Sequence, residues 1–345
     1  MKLKRQIGFV MVALFTGVIV LGSYDLAQAE EAHPKVSVDV LTAGFGFLGH
    51  ISMLSTSQIA KKYHPWLRIR VAETPGYVYN LEKLESYPSG WHNTIIESGD
   101  WGIWLARNQI TPFTTKVLGM KKLLTQTTFG HMLVSTKGGM QNLGDAMGKK
   151  IALGTKSQTD YYAVPRLLID KGWGLLDKLS IQWIGHVAAM QAMQDGLVDV
   201  IQININLNPD TGQWQHQPMN IELLGAGKKI YYIDYATPEV LDKLKKNTGL
   251  KILTYKLPKG TLEYQDRDVT LLLSPSTYAV KDVFPEELAY EFVKLYLDHY
   301  KEMGEMNKYA KNYSPGLFTV GLTQQNTHPG ALQAYEEAGI TIPAE

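Results

Sequence analysis

Residues 149–206 read KKIALG-TKSQTDYYAVPRLLIDKG-WGLLDK-LSIQWIG-HVAAMQAMQDG-LVDVIQININ, and this stretch decides the fold class. Apolar runs of strand length at 149–154, 179–185 and 197–206 are separated by a loop and helix over 155–172 and a helix over 186–196. Strand, helix, strand, helix, strand is the grammar of an α/β domain.

The same grammar extends on the N-terminal side. VSVDVL (36–41) and LRIRV (67–71) alternate apolar and polar positions, as half-buried strands do. The first runs into a glycine-spaced turn, AGFGFLG (43–49), and the helical segment SMLSTSQIAKKY (52–63); the second leads to ETPGYVYNLEKL (73–84), punctuated by Pro75 and Gly76. IESGDWGIWLARN (96–108) forms a third unit. A long apolar stretch, Val117 to Ser135, then carries the chain out of this first group, and VTLLLSPSTYAV (269–280) brings it back. Between these crossings Thr237, Pro238 and Gly249 mark the N-cap, first position and end of another helix. After the return, Pro285 opens a helix whose Leu288, Phe292, Leu295 and Tyr296 share one face and predict core packing.

The first 29 residues have a secretory pattern: basic Lys2, Lys4 and Arg5, an apolar run at 7–22, and the small-residue site Ala27-Gln28-Ala29. The alternative is an uncleaved anchor, although the apolar run falls short of the roughly 20 residues that span a bilayer. Cleavage near Ala29 predicts a soluble periplasmic protein. Without Lys2, Lys4, Arg5 and Asp25 the chain carries 31 basic and 32 acidic side chains, which leaves nucleic-acid binding no electrostatic basis. The absence of cysteine excludes disulfides and a lipid tether at the mature N-terminus. About 316 mature residues exceed what a single core supports, so two domains are expected.

No metal-ligand spacing, nucleophile elbow or phosphate loop is present, so no catalytic or metal-binding residue and no cofactor is predicted. Gly44, Gly46 and Gly49 match GxGxxG formally, but the position about 20 residues on, where a dinucleotide site needs an acid, holds Lys62 to His64.

Two segments near the end, KGTLEYQDRDVTLLL (259–273) and HPGALQAYEEAGI (328–340), occur in order. The first has a Gly260-Thr261 turn and a Gln265-Asp266-x-Asp268-Val269 step, and the second a His328-Pro329-Gly330 turn before a helix ending in Glu337-Ala338-Gly339. Together they resemble the tail of the TAXI-type solute-binding proteins, receptors of tripartite ATP-independent periplasmic (TRAP) transporters. NLGDAMGKKIALGT (142–155) and AAMQAMQDGLVDVIQ (188–202) resemble that family's middle segments. The resemblance implies a type II periplasmic binding fold, two α/β lobes joined by hinge strands around a ligand cleft. Its expected boundaries are a signal peptide at 1–29, lobe I at 30–125, lobe II at 126–266, and a return to lobe I at 267–345. It further implies a monomeric receptor, not an enzyme, that hands a small, carboxylate-containing organic solute to the membrane subunits of a TRAP transporter. An ABC-importer or sensor receptor, or a periplasmic enzyme on the same scaffold, are the alternatives.

In open α/β sheets the crevice lies beyond the carboxyl ends of the strands, so the loops after strands supply the candidates. The first is Phe45, Gly46 and Phe47; the second is Thr74, Gly76, Tyr77 and Asn80, where Asn80 either meets a ligand or closes the turn. Thr155, Ser157, Gln158 and Thr159 gather donors at a helix start suited to a carboxylate, with plain capping as the other reading. Tyr161 joins an aromatic group with Phe45, Phe47, Tyr77, Trp101, Trp104 and Tyr162, of which the two tryptophans fit core packing better. Arg107 is the candidate partner for a carboxylate, with a solvated surface arginine as the favoured other reading, and His186, Asn204 and Asn206 stand at further strand ends.

Overall fold

The computed structural model describes residues 34–45, 48–225, 227 and 229–345. The predicted signal peptide, Gly46 and Phe47 lie outside the described residues. The first group of elements is β1 (Val36–Leu41), α1 (Leu48–Tyr63), β2 (Leu67–Ala72), α2 (Tyr77–Glu85), β3 (Thr94–Gly99) and α3 (Asp100–Arg107). Helix α1 begins four residues ahead of the predicted segment, at the end of the glycine-spaced turn. The long strand β4 (Met120–Ser135) then crosses to β5 (Lys150–Leu153). A helical segment follows, with wide π turns at Thr159–Ala163 and Leu168–Trp173 around α4 (Val164–Leu167). The second group continues with β6 (Ser180–Trp183), α5 (His186–Gln194), β7 (Val200–Leu207), β8 (Trp214–His216), α6 (Pro218–Gly225), β9 (Tyr231–Ile233), α7 (Pro238–Thr248) and β10 (Leu253–Leu257). Strand β11 (Val269–Lys281) returns, followed by α8 (Glu286–Met306), α9 (Pro315–Phe318) and α10 (Pro329–Glu337).

The strands form one mixed sheet in the order β2-β1-β3-β11-β4-β7-β5-β6, with β8, β9 and β10 paired alongside. Parallel pairing holds within β2-β1-β3 and within β7-β5-β6, as expected where helices connect successive strands. The two halves meet through the long antiparallel pair of β4 and β11, whose register shifts twice, at Ser276/Thr277 and Tyr278/Ala279. The expected boundaries at 125–126 and 266–267 fall inside β4 and just before β11. Residues Lys35–Glu345 pack as one compact unit around this sheet.

Side-chain periodicity accounts for the layers. Edge strand β2 alternates Leu67 and Ile69 inward with Arg68 and Arg70 outward, whereas β7 and β11, covered on both faces, are buried almost throughout. Val38, Val40 and Ile95 pack with the α8 stripe Leu288, Phe292, Leu295 and Tyr296, so that stripe is core. Ile201, Ile203 and Ile205 of β7 pack on Met190 and Met193 of α5. A third cluster runs from Leu81, Ile96 and Trp101 to Leu153, Tyr162 and Val240, and so joins the two halves. Each such large apolar side chain, once buried, stabilises by roughly 1.5–3 kcal/mol. Among the described residues, no helix is long and apolar enough to cross a membrane.

The His-Pro-Gly turn shows why its residue types are needed. The His328 imidazole Nδ1 accepts the Gly330 N–H at 3.3 Å and caps α10. A Cβ at Gly330 would lie 2.0 Å from the Glu286 carbonyl oxygen, so the first turns of α8 and α10 touch backbone to backbone. Gly330→Ala is therefore expected to lower stability by about 1–3 kcal/mol. Gly185→Ala, with nothing within 4 Å of its Cβ position, is expected to be near neutral. Denaturant midpoints of the two variants check this, and equal midpoints would contradict the close approach.

Candidate functional site

A polar stripe crosses the buried sheet where its two halves join. On β7, Gln202, Asn204 and Asn206 alternate with the core isoleucines and so face the opposite side. Register places Asn204 opposite His131 and Asn206 opposite Phe129 of β4, and Phe129 and Thr127 in turn opposite Ser274 and Ser276 of β11. Except for the half-buried Phe129, these side chains are buried. Buried polar groups cost free energy unless they are hydrogen-bonded, so their partners define the site.

Two carboxylates anchor the stripe. Asp160, in the first turn after β5, accepts from Thr159 Oγ1 at 2.7 Å and from Ser274 Oγ at 2.6 Å, with His131 Nε2 3.4 Å from Oδ2. Burial alone would raise this carboxyl; the His131, Ser274 and Thr159 groups outweigh burial and hold it below the usual carboxylate range. Glu97, near the end of β3, accepts at Oε1 from Gln126 Nε2 at 2.7 Å and Ser276 Oγ at 3.0 Å. The Tyr77 hydroxyl lies 2.8 Å from Ser276 Oγ and 3.4 Å from the same Glu97 oxygen. A Cβ at Gly49 would fall 1.9 Å from Glu97 Oε2, so this carboxyl lies directly against the first turn of α1. Burial, only partly offset by the bonds from Ser276, Tyr77 and Gln126, pushes Glu97 up to about 7. A third acid, Asp100 at the start of α3, pairs with Lys122 at 2.6 Å; burial outweighs that ion pair and raises its carboxyl.

Imidazoles and rings complete the cluster. Gln202 Nε2 donates to the Asp160 carbonyl at 2.7 Å and lies 2.9 Å from His131 Nδ1. His131 Nδ1 is then an acceptor and the ring hydrogen sits on Nε2, toward Asp160. The Tyr161 ring lies 4.1 Å from that of His186, tilted by 34°, meets the His131 ring edge-on at 5.4 Å, and its hydroxyl accepts from Asn204 Nδ2 at 2.8 Å. Burial, and then His131, pushes His186 down to about 4. Several buried polar atoms of this region have no hydrogen-bond partner: Glu97 Oε2, Asp100 Oδ1, His131 Nε2, His186 Nε2, Asn204 Oδ1, Asn206 Nδ2 and Asn220 Oδ1. Two open surface depressions, of about 540 and 420 Å3, lie on the C-terminal helices and are lined by no residue of this cluster. Among the described residues, no group of three or more acidic or histidine side chains is placed to hold a metal ion.

The structure sorts the residues singled out from sequence. Thr159, Tyr161, His186, Asn204 and Tyr77 stand in the cluster, and Asn206 extends it. Asn80 and Thr74 are buried pins: Asn80 Nδ2 lies within hydrogen-bond reach of the Leu41, Thr42 and Glu97 carbonyls, and Thr74 Oγ1 donates to Asn80 Oδ1. These bonds fit the turn-closing reading of Asn80. Gly76, at φ 121°, precedes α2 in a conformation that favours glycine. Gln158 Oε1 caps the Thr155 N–H at 3.0 Å, and Thr155 and Ser157 bond each other at 3.1 Å near the surface, so these three serve the loop itself. Phe45 is 77 % exposed and lies edge-on to His50. Arg107 is exposed in the last turn of α3, at the opposite end of that helix from Asp100, a position that fits the surface reading. Glu97, Gln126, His131, Asp160, Gln202, Ser274 and Ser276 were not among the candidates. Apart from Asp160, which lies in the helical segment after β5, the available signal was polar residues recurring inside strands of otherwise core-like pattern.

A family model described as the NMT1-like family matches residues 120–339, well over half of the chain. The chain belongs to the NMT1-like family. The matched part runs from β4 to α10 and contains His131, Asp160, His186, Asn204, Ser274 and Ser276, while Tyr77 and Glu97 precede it. A comparison with curated proteins gave no significant match. Among solved structures, this NMT1-like protein is similar to the periplasmic aliphatic sulphonate binding protein SsuA from Escherichia coli, with 14% identity, TM-score 0.45, and 88% of this chain and 84% of that one covered. It is also similar to malate-bound MatC from Rhodopseudomonas palustris, with 14% identity, TM-score 0.47, and 88% and 96% covered. A third is a TctC solute binding protein from Polaromonas, with 10% identity, TM-score 0.45, and 81% and 88% covered.

The buried Glu97 gives a pH signature. Its proton is held more tightly in the folded chain than at the ordinary value of 4.5, so the associated stability is complete below about pH 4.5 and is lost as pH rises through about 7. Glu97→Gln removes that loss. The stability of the variant relative to wild type is expected to improve by on the order of 3 kcal/mol between about pH 4.5 and pH 8. Denaturant unfolding at both pH values measures this, and a difference that does not change with pH would contradict the burial of an ionisable group at Glu97.

Proposed function

We propose that this NMT1-like chain is an exported receptor of the type II periplasmic architecture. In this reading it closes two lobes around one small organic solute and passes it unchanged to the membrane subunits of a TRAP-type importer. The lobes are the sheet halves β2-β1-β3 and β7-β5-β6, with β4 and β11 as hinge strands. The observation that carries the reading is the convergence of buried, incompletely partnered polar side chains from both halves, Glu97 from one and His186 and Asn204 from the other, around the fully bonded Asp160. They gather at the carboxyl ends of the strands, where open α/β sheets place their ligands. A solute that completes these bonds stabilises the closed arrangement over the open one and so shifts an existing equilibrium.

The arrangement favours binding over catalysis. Ser274, His131 and Asp160 are the residue types of a hydrolytic triad, yet the Ser274 hydroxyl donates to Asp160 itself. With its proton committed to the carboxylate, that serine has no imidazole acting as its base, which the triad mechanism requires.

Purified protein titrated with a panel of organic acids, amino acids and amines is expected to show a saturable rise in melting temperature with one class. At 100 times Kd the stabilisation is about 2.7 kcal/mol, and the compound is recovered intact. A flat melting temperature across the panel would sink the receptor reading, and recovery of a converted compound would favour an enzyme.

A further inference from the structure

The charge arrangement of the cluster names the solute class more closely than its family does. Helix N-termini attract anions, and three of them open at this site: α1, α3 and the helical segment beginning at Thr159. Each already has a carboxylate of the chain itself. Glu97 lies against Gly49 in the first turn of α1, Asp100 is the first residue of α3, and Asp160 is the second residue of the third. The cation in the cluster, Lys122, is committed to Asp100 and to the Gly321 carbonyl at 2.9 Å. An incoming carboxylate would meet three acids and no uncommitted cation among the described residues of the cluster, a costly arrangement at low dielectric.

The unpartnered atoms carry the same message independently. Glu97 is 2 % exposed and its Oε2 accepts nothing; Asp100 Oδ1, Asn204 Oδ1 and Asn220 Oδ1 are also buried acceptors without donors. On the donor side stand His131 Nε2, which faces Asp160, and Asn206 Nδ2, while His186 Nε2 serves either way with its tautomer. Acceptors are in excess, and an ammonium group offers three donors and no acceptor. The half-buried Phe129 and the rings of Trp101 and Tyr161, all disposed around His131, add aromatic faces that favour a cation.

Resting on the receptor reading, we propose that the site takes its solute by a protonated amine and that Glu97 is the residue that selects it. Glu97 Oε2 accepts from the ammonium group, Oε1 remains held by Gln126 and Ser276, and the Asn204 and Asn206 amides bond the neutral polar part of the solute. A carboxylate isostere is disfavoured by repulsion from Asp160 and from the ionised form of Glu97, the charge of Asp100 being met by Lys122.

The test is calorimetric titration of the wild-type protein with matched pairs that differ only in charge: tyramine against 4-hydroxyphenylacetate, and putrescine against succinate, with the amino acids as a third set. The expected result is saturable binding of at least one amine and none of its acid partner. Glu97→Gln is expected to weaken that amine by about 10- to 100-fold, the loss of one charge-assisted bond, and Glu97→Asp to recover part of it; both variants are checked for cooperative unfolding first. If acids bind and amines do not, the amine proposal is overturned while the receptor reading stands. Wild-type affinity for the amine in a folded Glu97→Gln variant would likewise overturn it. If no member of any set binds, the receptor reading falls and the proposal with it.

Discussion

Two serines two positions apart on a single strand hold the two halves of the molecule to one point. Ser274 donates to Asp160, which belongs to the β5 side, and Ser276 donates to Glu97, which belongs to the β3 side. Because β11 lies between those halves in the sheet, these short bonds fix both carboxylates relative to the same backbone. The helices that begin beside the carboxylates are positioned with them: α1 against Glu97 through Gly49, and the segment from Thr159 through Asp160.

Such a centre is expensive. A sheet interior made of isoleucine and leucine alone would avoid the desolvation of Gln126, His131, Asp160, Gln202 and Glu97. The chain offsets part of this through a shared network. Gln202 serves His131, Asp160 and Tyr235, while Gln126 links Glu97 to the Tyr278 hydroxyl. The ends of that network stay incomplete, at Glu97 Oε2 and Asn204 Oδ1. Stability is thus given up at this polar cluster, while the three apolar clusters around the sheet hold the fold.

The order of strands and helices was legible because period-2 and period-3.6 patterns survive in this sequence with clear punctuation. Val117–Ser135 and 269–280 stood out as crossings, and they are β4 and β11. Pro238 and Gly249 mark the ends of α7 because proline suits a first turn and Gly249 adopts φ 79° at its close. The site was only half legible. A rule that looks to loops after strands finds Tyr77, Thr159, Tyr161 and His186, whose backbones do lie there. It passes over Glu97, His131, Ser274 and Ser276, which project from within strands. Arg107 shows a related limit: charge at the end of a helix is visible in sequence, but which end faces the cluster depends on the packing of α3. The polar residues of QININ, TTFGHM and LLLSPS sit in strands buried on both faces, and that is the pattern that marks them.

The β4–β11 ribbon also limits how the two halves can move. A pair of strands laddered over this length resists swinging like a door on a loose loop, because that would break its backbone bonds. Any opening must instead come as torsion, concentrated where the ladder is already interrupted. The two register shifts fall at Ser276/Thr277 and Tyr278/Ala279, immediately beside the hydroxyl that grips Glu97. The interruptions of the ladder and the two serines are thus neighbours on one strand, so a few degrees of twist there would carry both hydroxyls out of alignment with their carboxylates in a single stroke.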